Sequence, residues 1–165
     1  AMSLVFIAVL ATFASQYGGK YSGAVLVDLN NSTYNQAQAS DQWSYYQAKS
    51  IKQNLYEALR ELAPKNGNAT NQNLEAFNAK VAKYEADKKA ISEEAKKLER
   101  QRDQDRLAAQ VASRHGSGMA TAVSVYQIAI ALGSICLVVK RRPLWYISLT
   151  LALLATAKAV YVVLT

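Results

Sequence analysis

Met119–Val139, MATAVSVYQIAIALGSICLVV, is a run of 21 residues without a charge. A helix rises about 1.5 Å per residue, so this run can cross a hydrocarbon core about 30 Å thick. The chain is thereby restricted to folds that hide a long apolar helix, and a bilayer does so most simply. Leu144–Thr165, LWYISLTLALLATAKAVYVVLT, is a second such run, with one charge at Lys158. Ala1–Ser15, AMSLVFIAVLATFAS, is a third, slightly shorter one. No basic segment precedes it, so it reads as a first span beginning at or before Ala1 rather than as a cleaved signal.

Charge is segregated to the middle of the chain. Residues 16–118 hold 15 Lys/Arg and 12 Asp/Glu, a net of +3 out of the overall +7. The other four positive charges are Lys140, Arg141, Arg142 and Lys158, three of them in one short loop between apolar runs. That placement is a membrane-topology signal, not a nucleic-acid footprint, and no nucleic-acid partner is expected. The single cysteine, Cys136, lies in an apolar run and reads as a small buried hydrophobe. Neither a metal nor a cofactor site is expected, because the ligand spacings that such sites need are missing.

Glycine and proline cluster at four joints: Gly18, Gly19 and Gly23; Pro64 and Gly67; Gly116 and Gly118; and Pro143. Breakers so placed predict five helices. Alternation of period two is not sustained anywhere, so no strand competes. The expected fold is an all-α membrane protein, with three transmembrane helices plus a long extramembrane antiparallel coiled-coil hairpin. The first span covers 1–17 and the hairpin 18–118, with helices at about 24–63 and 71–114 and a turn at 64–70. The second span covers 119–139, a basic loop 140–143 and the third span 144–165.

Two apolar stripes carry the hairpin expectation. Leu74, Phe77, Val81, Tyr84, Ile91, Ala95 and Leu98 follow 3-4 spacing, with Lys88 as a polar intruder, and Ala48, Ile51, Leu55, Ala58 and Leu62 do the same. Outer faces carry Glu85/Lys89 and Glu93/Lys97 at i,i+4, each pair worth about 0.3–0.5 kcal/mol. Beyond Leu98 the stripe meets Arg102 and Asp105, so the second helix is expected there to change partner, change register or become solvated. A helix over 71–112 would be roughly 60 Å long, and its stripe needs neighbours.

Short basic loops favour the cytoplasm, which places Lys140, Arg141 and Arg142 inside and the hairpin outside, in the periplasm of a bacterium. Trp145 and Tyr146 beside that loop suit an interfacial aromatic belt.

The stretch ASDQWSYYQAKSIK, Ala39–Lys52, sets three rings into four residues. On a helix Trp43 and Tyr46 are i,i+3 neighbours, while Tyr45 turns toward Lys49 and Asp41. The rings therefore flank the expected seam beside Lys49 and Ile51. They either pack on the far end of the second helix, anchor a contact with another subunit, or include a ligand-binding or catalytic tyrosine, for which no acid/base group is at hand. With GGKYS at Gly18–Ser22 and the preceding apolar span, SDQW-x-YYQAKSIK resembles the bacterial DUF4337 family of inner-membrane proteins. The resemblance covers nearly the whole chain. It implies a membrane location and helical content, and no catalytic residues to carry over.

Other features are sparse. His115, the only histidine, falls in the expected RHGSG joint and reads as a hinge or interface residue. Lys158 reads as snorkelling to the surface or as facing a bundle interior, with Gln127 and Tyr126 as available partners. Ala129 and Gly133 form a small-xxx-small pattern suited to close helix contact. These features lead to a non-enzymatic, membrane-anchored interaction or scaffold protein of the inner membrane. Its partners would be the lipid bilayer, copies of itself, or subunits of a larger complex to which it is accessory. The alternative is an oligomeric transport or channel component using Lys158 and Gln127.

Overall fold

A computed structural model describes residues 2–62, 71–139 and 142–164, with side chains in the second stretch from residue 73 onward. Every described residue is helical. Helix α1 is Met2–Leu62, α2 is Asn71–Val139 and α3 is Arg142–Leu164. Each contains a stretch long and apolar enough to cross a membrane. The expected turn at 64–70, and Lys140 and Arg141 of the basic loop, lie outside the described residues.

Five helices were expected, but the glycine joints at 18–23 and 116–118 do not break anything: both stay inside unbroken helices. A helical glycine costs only about 1 kcal/mol against alanine, and here the missing side chain admits a neighbour. A Cβ on Gly118 would come within 2.7 Å of Val162 Cγ2. Gly133 is likewise closed in by the Leu4 side chain, with Ser148 Oγ at 3.0 Å. Helix α3 starts at Arg142, two residues before the expected span, because Pro143 is tolerated in a first turn that has no amide hydrogen bonds to lose.

The chain forms two compact units, residues 1–29 with 106–165 and residues 30–105. In the first, three helices pack around Ile7, Ala14, Tyr126, Ala129, Ala152 and Ala155. Helix α2 runs antiparallel to both others: Gly18 lies near Met119 and Gly116 near Tyr21, while Tyr126 meets Thr156. Polar groups inside are satisfied locally. Tyr126 Oη and Thr156 Oγ1 are 2.9 Å apart, and Ser148 Oγ donates to the Ala129 carbonyl at 2.7 Å.

In the second unit α1 and α2 form an antiparallel pair. Asn35 meets Asp105, Trp43 meets Glu99, Lys49 meets Asp87 and Arg60 meets Asn78. The expected stripe of α2 is the one that packs: Leu74, Phe77, Val81, Tyr84, Ile91, Ala95 and Leu98 are all buried or half-buried. On α1 the expected register is wrong. The packed positions are Ser32, Asn35, Ala39, Gln42, Tyr46, Lys49, Gln53, Tyr56 and Arg60, again in 3-4 spacing but shifted two residues. Two residues turn a helix by about 200°, so Ala48, Ile51, Leu55, Ala58 and Leu62 face away from α2. Rings outweigh aliphatic chains at this seam, with Tyr56 tilted on Phe77 and stacked on Tyr84.

The expected change beyond Leu98 does not occur either. Arg102 and Asp105 stay on the seam, half-buried, because α1 supplies polar partners there. Arg102 Nη1 donates to Gln36 Oε1 at 2.6 Å, and Asp105 accepts from Asn35 Nδ2 at 2.8 Å.

Candidate interaction site

The aromatic cluster of α1 is built into the helix pair of the second unit. Trp43 Nε1 donates to Glu99 Oε1 at 2.9 Å, and its ring meets Tyr46 edge-on at 5.6 Å. Lys88, the intruder on the α2 stripe, lies over the Tyr46 ring at 5.1 Å. A cation over a ring face is attracted by its quadrupole, so the lysine is accommodated at the seam. Tyr46 therefore lies on the seam and does not merely flank it, as the shifted register requires. Trp43 meets α2 at Glu99, close to where its apolar stripe gives way to polar residues, whereas Tyr46 meets it three turns earlier at Lys88.

Lys49 is the hub. Its Nζ is 2.7 Å from Asp87 Oδ2 and lies over the rings of Tyr45 at 5.1 Å and Tyr84 at 5.4 Å. The hydrogen bond to Asp87, then that to Tyr45, holds the Lys49 ammonium above its ordinary pKa; the same bond from Lys49 holds the Asp87 carboxyl below its own. The ion pair ties α1 to α2.

Tyr45 and Ile51 are exposed. Ile51 heads a row on α1 with Leu55, Leu59 and Leu62, whose exposures are 69%, 57%, 40% and 52%. No signal in hydrophobicity alone would have put this row outside. The participation of Asp87 and Glu99 was not foreseen, although each lies one position from a stripe residue.

Ala129 and Gly133 are buried in the three-helix unit, where their small size serves contacts within one chain. Lys158 and Gln127 are exposed there, and the Tyr126 hydroxyl is occupied by Thr156. His115 is not in a joint: it stacks on Tyr21 at 5.2 Å, and its Nδ1 donates to the Val162 carbonyl at 3.1 Å, in the last turn of α3. Arg142 is exposed at the start of α3, Trp145 Nε1 donates to Ser3 Oγ at 3.4 Å, and Trp145 meets Tyr146 edge-on. The expected Glu93/Lys97 pair gives way to Lys97 with Glu94 at 3.5 Å. Among the described residues no group of His, Cys, Asp and Glu could hold a metal ion.

The fold defines an all-helical protein with three helices able to span a membrane. The family model for the domain of unknown function DUF4337 matches residues 1–165, and the chain belongs to that family. No curated protein and no solved structure matches it.

Proposed function

We propose that this chain is a non-enzymatic, membrane-anchored helical interaction protein that assembles with its own copies or as an accessory subunit of a larger membrane complex. The observation that carries the reading is the exposed row Ile51, Leu55, Leu59 and Leu62, in a unit whose other helix is densely charged. A row of large apolar side chains at helical spacing costs free energy in water, at about 25 cal/mol per Å² left uncovered, and such patches mark contact surfaces. The spans are 1–17, 119–139 and 144–165, in a bacterial inner membrane, with the 140–143 loop cytoplasmic and the helix pair periplasmic. The test is the mass of the particle extracted gently from native membranes. A particle heavier than one chain of 18.1 kDa supports the reading, and a single chain in every mild extraction overturns it.

A further inference from the structure

The exposed row of α1 has the spacing of a coiled-coil seam, with Ala48, Leu55 and Leu62 alternating with Ile51 and Ala58. All five are exposed. Charge is distributed unequally around it. Within 30–62 α1 has six charged residues, Asp41, Lys49, Lys52, Glu57, Arg60 and Glu61, whereas α2 has sixteen within 73–105. Of the α1 six, Lys49 and Arg60 are directed to α2, through Asp87 and Asn78.

We infer that this row joins copies of the chain, α1 lying parallel to α1 of the next copy. The inference rests on the interaction reading above. Copies inserted the same way into one membrane are related by an axis along the membrane normal, so equivalent helices run in the same direction. In a parallel coiled coil each seam position meets its own equivalent. Here those meetings are Ala on Ala, Ile on Ile and Leu on Leu, with nothing polar buried against itself. The flanking positions, which cross from one heptad to the next, bring Gln47 beside Lys52 of the next copy and Asn54 beside Leu59. Within 48–62 no like charges meet, and one heptad earlier the same phase would set Asp41 on Asp41, so the seam starts at Ala48. The packed face of α1, with Lys49 and Arg60, is already covered by α2, which leaves the exposed row as the apolar face of this segment open to a second copy. Two heptads make a weak coiled coil in dilute solution, but confinement to one membrane raises the effective concentration of the copies.

The test uses the full chain in its own membrane with Cys136→Ser, so that one introduced thiol reports. Ile51→Cys and Leu55→Cys are each oxidised in place, with Gln53→Cys, on the face toward α2, as control. The expected result is a band at twice 18.1 kDa from positions 51 and 55 and little from 53. Ile51→Glu with Leu55→Glu should reduce the particle mass while leaving helicity intact. Cross-linking of positions 51 and 55 to a different protein overturns the self-pairing and leaves the interaction reading standing. Equal self-linking at all three positions overturns the seam. No linking at all, with a single-chain particle, overturns both.

Discussion

In residues 1–29 and 106–165 most buried contacts are small, among them Ala14, Ala122, Ala129 and Ala155, with Ile7, Met119 and Tyr126 as the bulky buried exceptions, while Phe6, Phe13, Ile128, Leu153 and Leu154 face out. In residues 30–105 the seam holds Tyr46, Lys49, Gln53, Tyr56, Tyr84 and Lys88, and most outward positions of α2 are charged or alanine. Lipid offers no hydrophobic drive between helices, so close approach of small residues does the work and bulk is left for the tails. Water rewards burying rings and tolerates charges outside. Under the proposed topology, with the first unit in lipid and the second in water, each unit follows the packing rule of its own solvent. The apolar row on α1 departs from that rule in the second unit and is for this reason the informative surface.

The sharpest way to break the comparison is to add bulk at a small contact of the first unit. Gly133→Leu would drive a side chain into Leu4 and Ser148, and a loss of about 3 kcal/mol is expected, at the upper end for overpacking. Gly23→Leu is the contrast, because nothing lies within 4 Å of a Cβ there. It should be neutral or gain about 1 kcal/mol from helix propensity. Unfolding of the helical signal in mixed micelles by denaturant measures both, and equal effects would show that small residues are not what packs this unit.

The second unit should respond to loss of a ring. Trp43→Ala removes the hydrogen bond to Glu99 and the edge contact with Tyr46, for an expected loss of about 2 kcal/mol, less than for a fully buried tryptophan because Trp43 is half-buried. Trp43→Phe should recover about half, since the hydrogen bond alone is worth about 1 kcal/mol. If Phe behaves like Ala in thermal unfolding, the ring contributes nothing.

The apolar runs and the α2 stripe were legible because both depend on the chain's own hydrophobic pattern. The α1 register was not, for two reasons. Hydrophobicity alone favours Ile51 and Leu55 over Tyr46 and Lys49, whereas Lys49 is accommodated by groups on other turns, Asp87, Tyr84 and Tyr45. The glycines at 18–23 also suggested a break that would free the downstream register. They are helical, so one phase runs through α1: steps of four and three from Ile7 and Ala11 through Ala14, Gly18 and Tyr21 arrive at Ala39, Tyr46 and Lys49. Counting on from the first span would have given the packed face. Arg102 and Asp105 were misread in the same way, since polar residues on a stripe end it only when the facing helix offers no Gln36 or Asn35.

Gln53 marks the weakest point of the polar seam. Its Nε2 donates to Glu57 at 2.9 Å, but its buried Oε1 finds no partner among the described residues. Gln53→Leu removes that unsatisfied acceptor and should gain about 1 kcal/mol. A loss instead would mean that the amide is satisfied by water and that the seam is wetter than its side chains suggest.

The smallest effect expected is the pH dependence of the Lys49–Asp87 pair. Asp87 has a lowered folded-state pKa, so its contribution is present above the ordinary carboxylate value of about 3.9 and is lost as pH falls through the folded value. Lys49 has a raised one, so its contribution is full below about 10.4 and is lost as pH rises through the folded value. The pair therefore stabilises the helix pair across the whole neutral range and fails only at the extremes. Many carboxylates titrate together in acid, so the pair is isolated by difference. Wild type and Asp87→Asn are unfolded thermally at pH 7 and at successive steps of falling pH, with Lys49 charged throughout. The gap between them should be open at pH 7 and should close only as pH falls through the lowered folded value of Asp87. A gap of unchanged width would assign the effect of the substitution to something other than the charge of Asp87 and leave the ion pair without a role in holding α1 to α2.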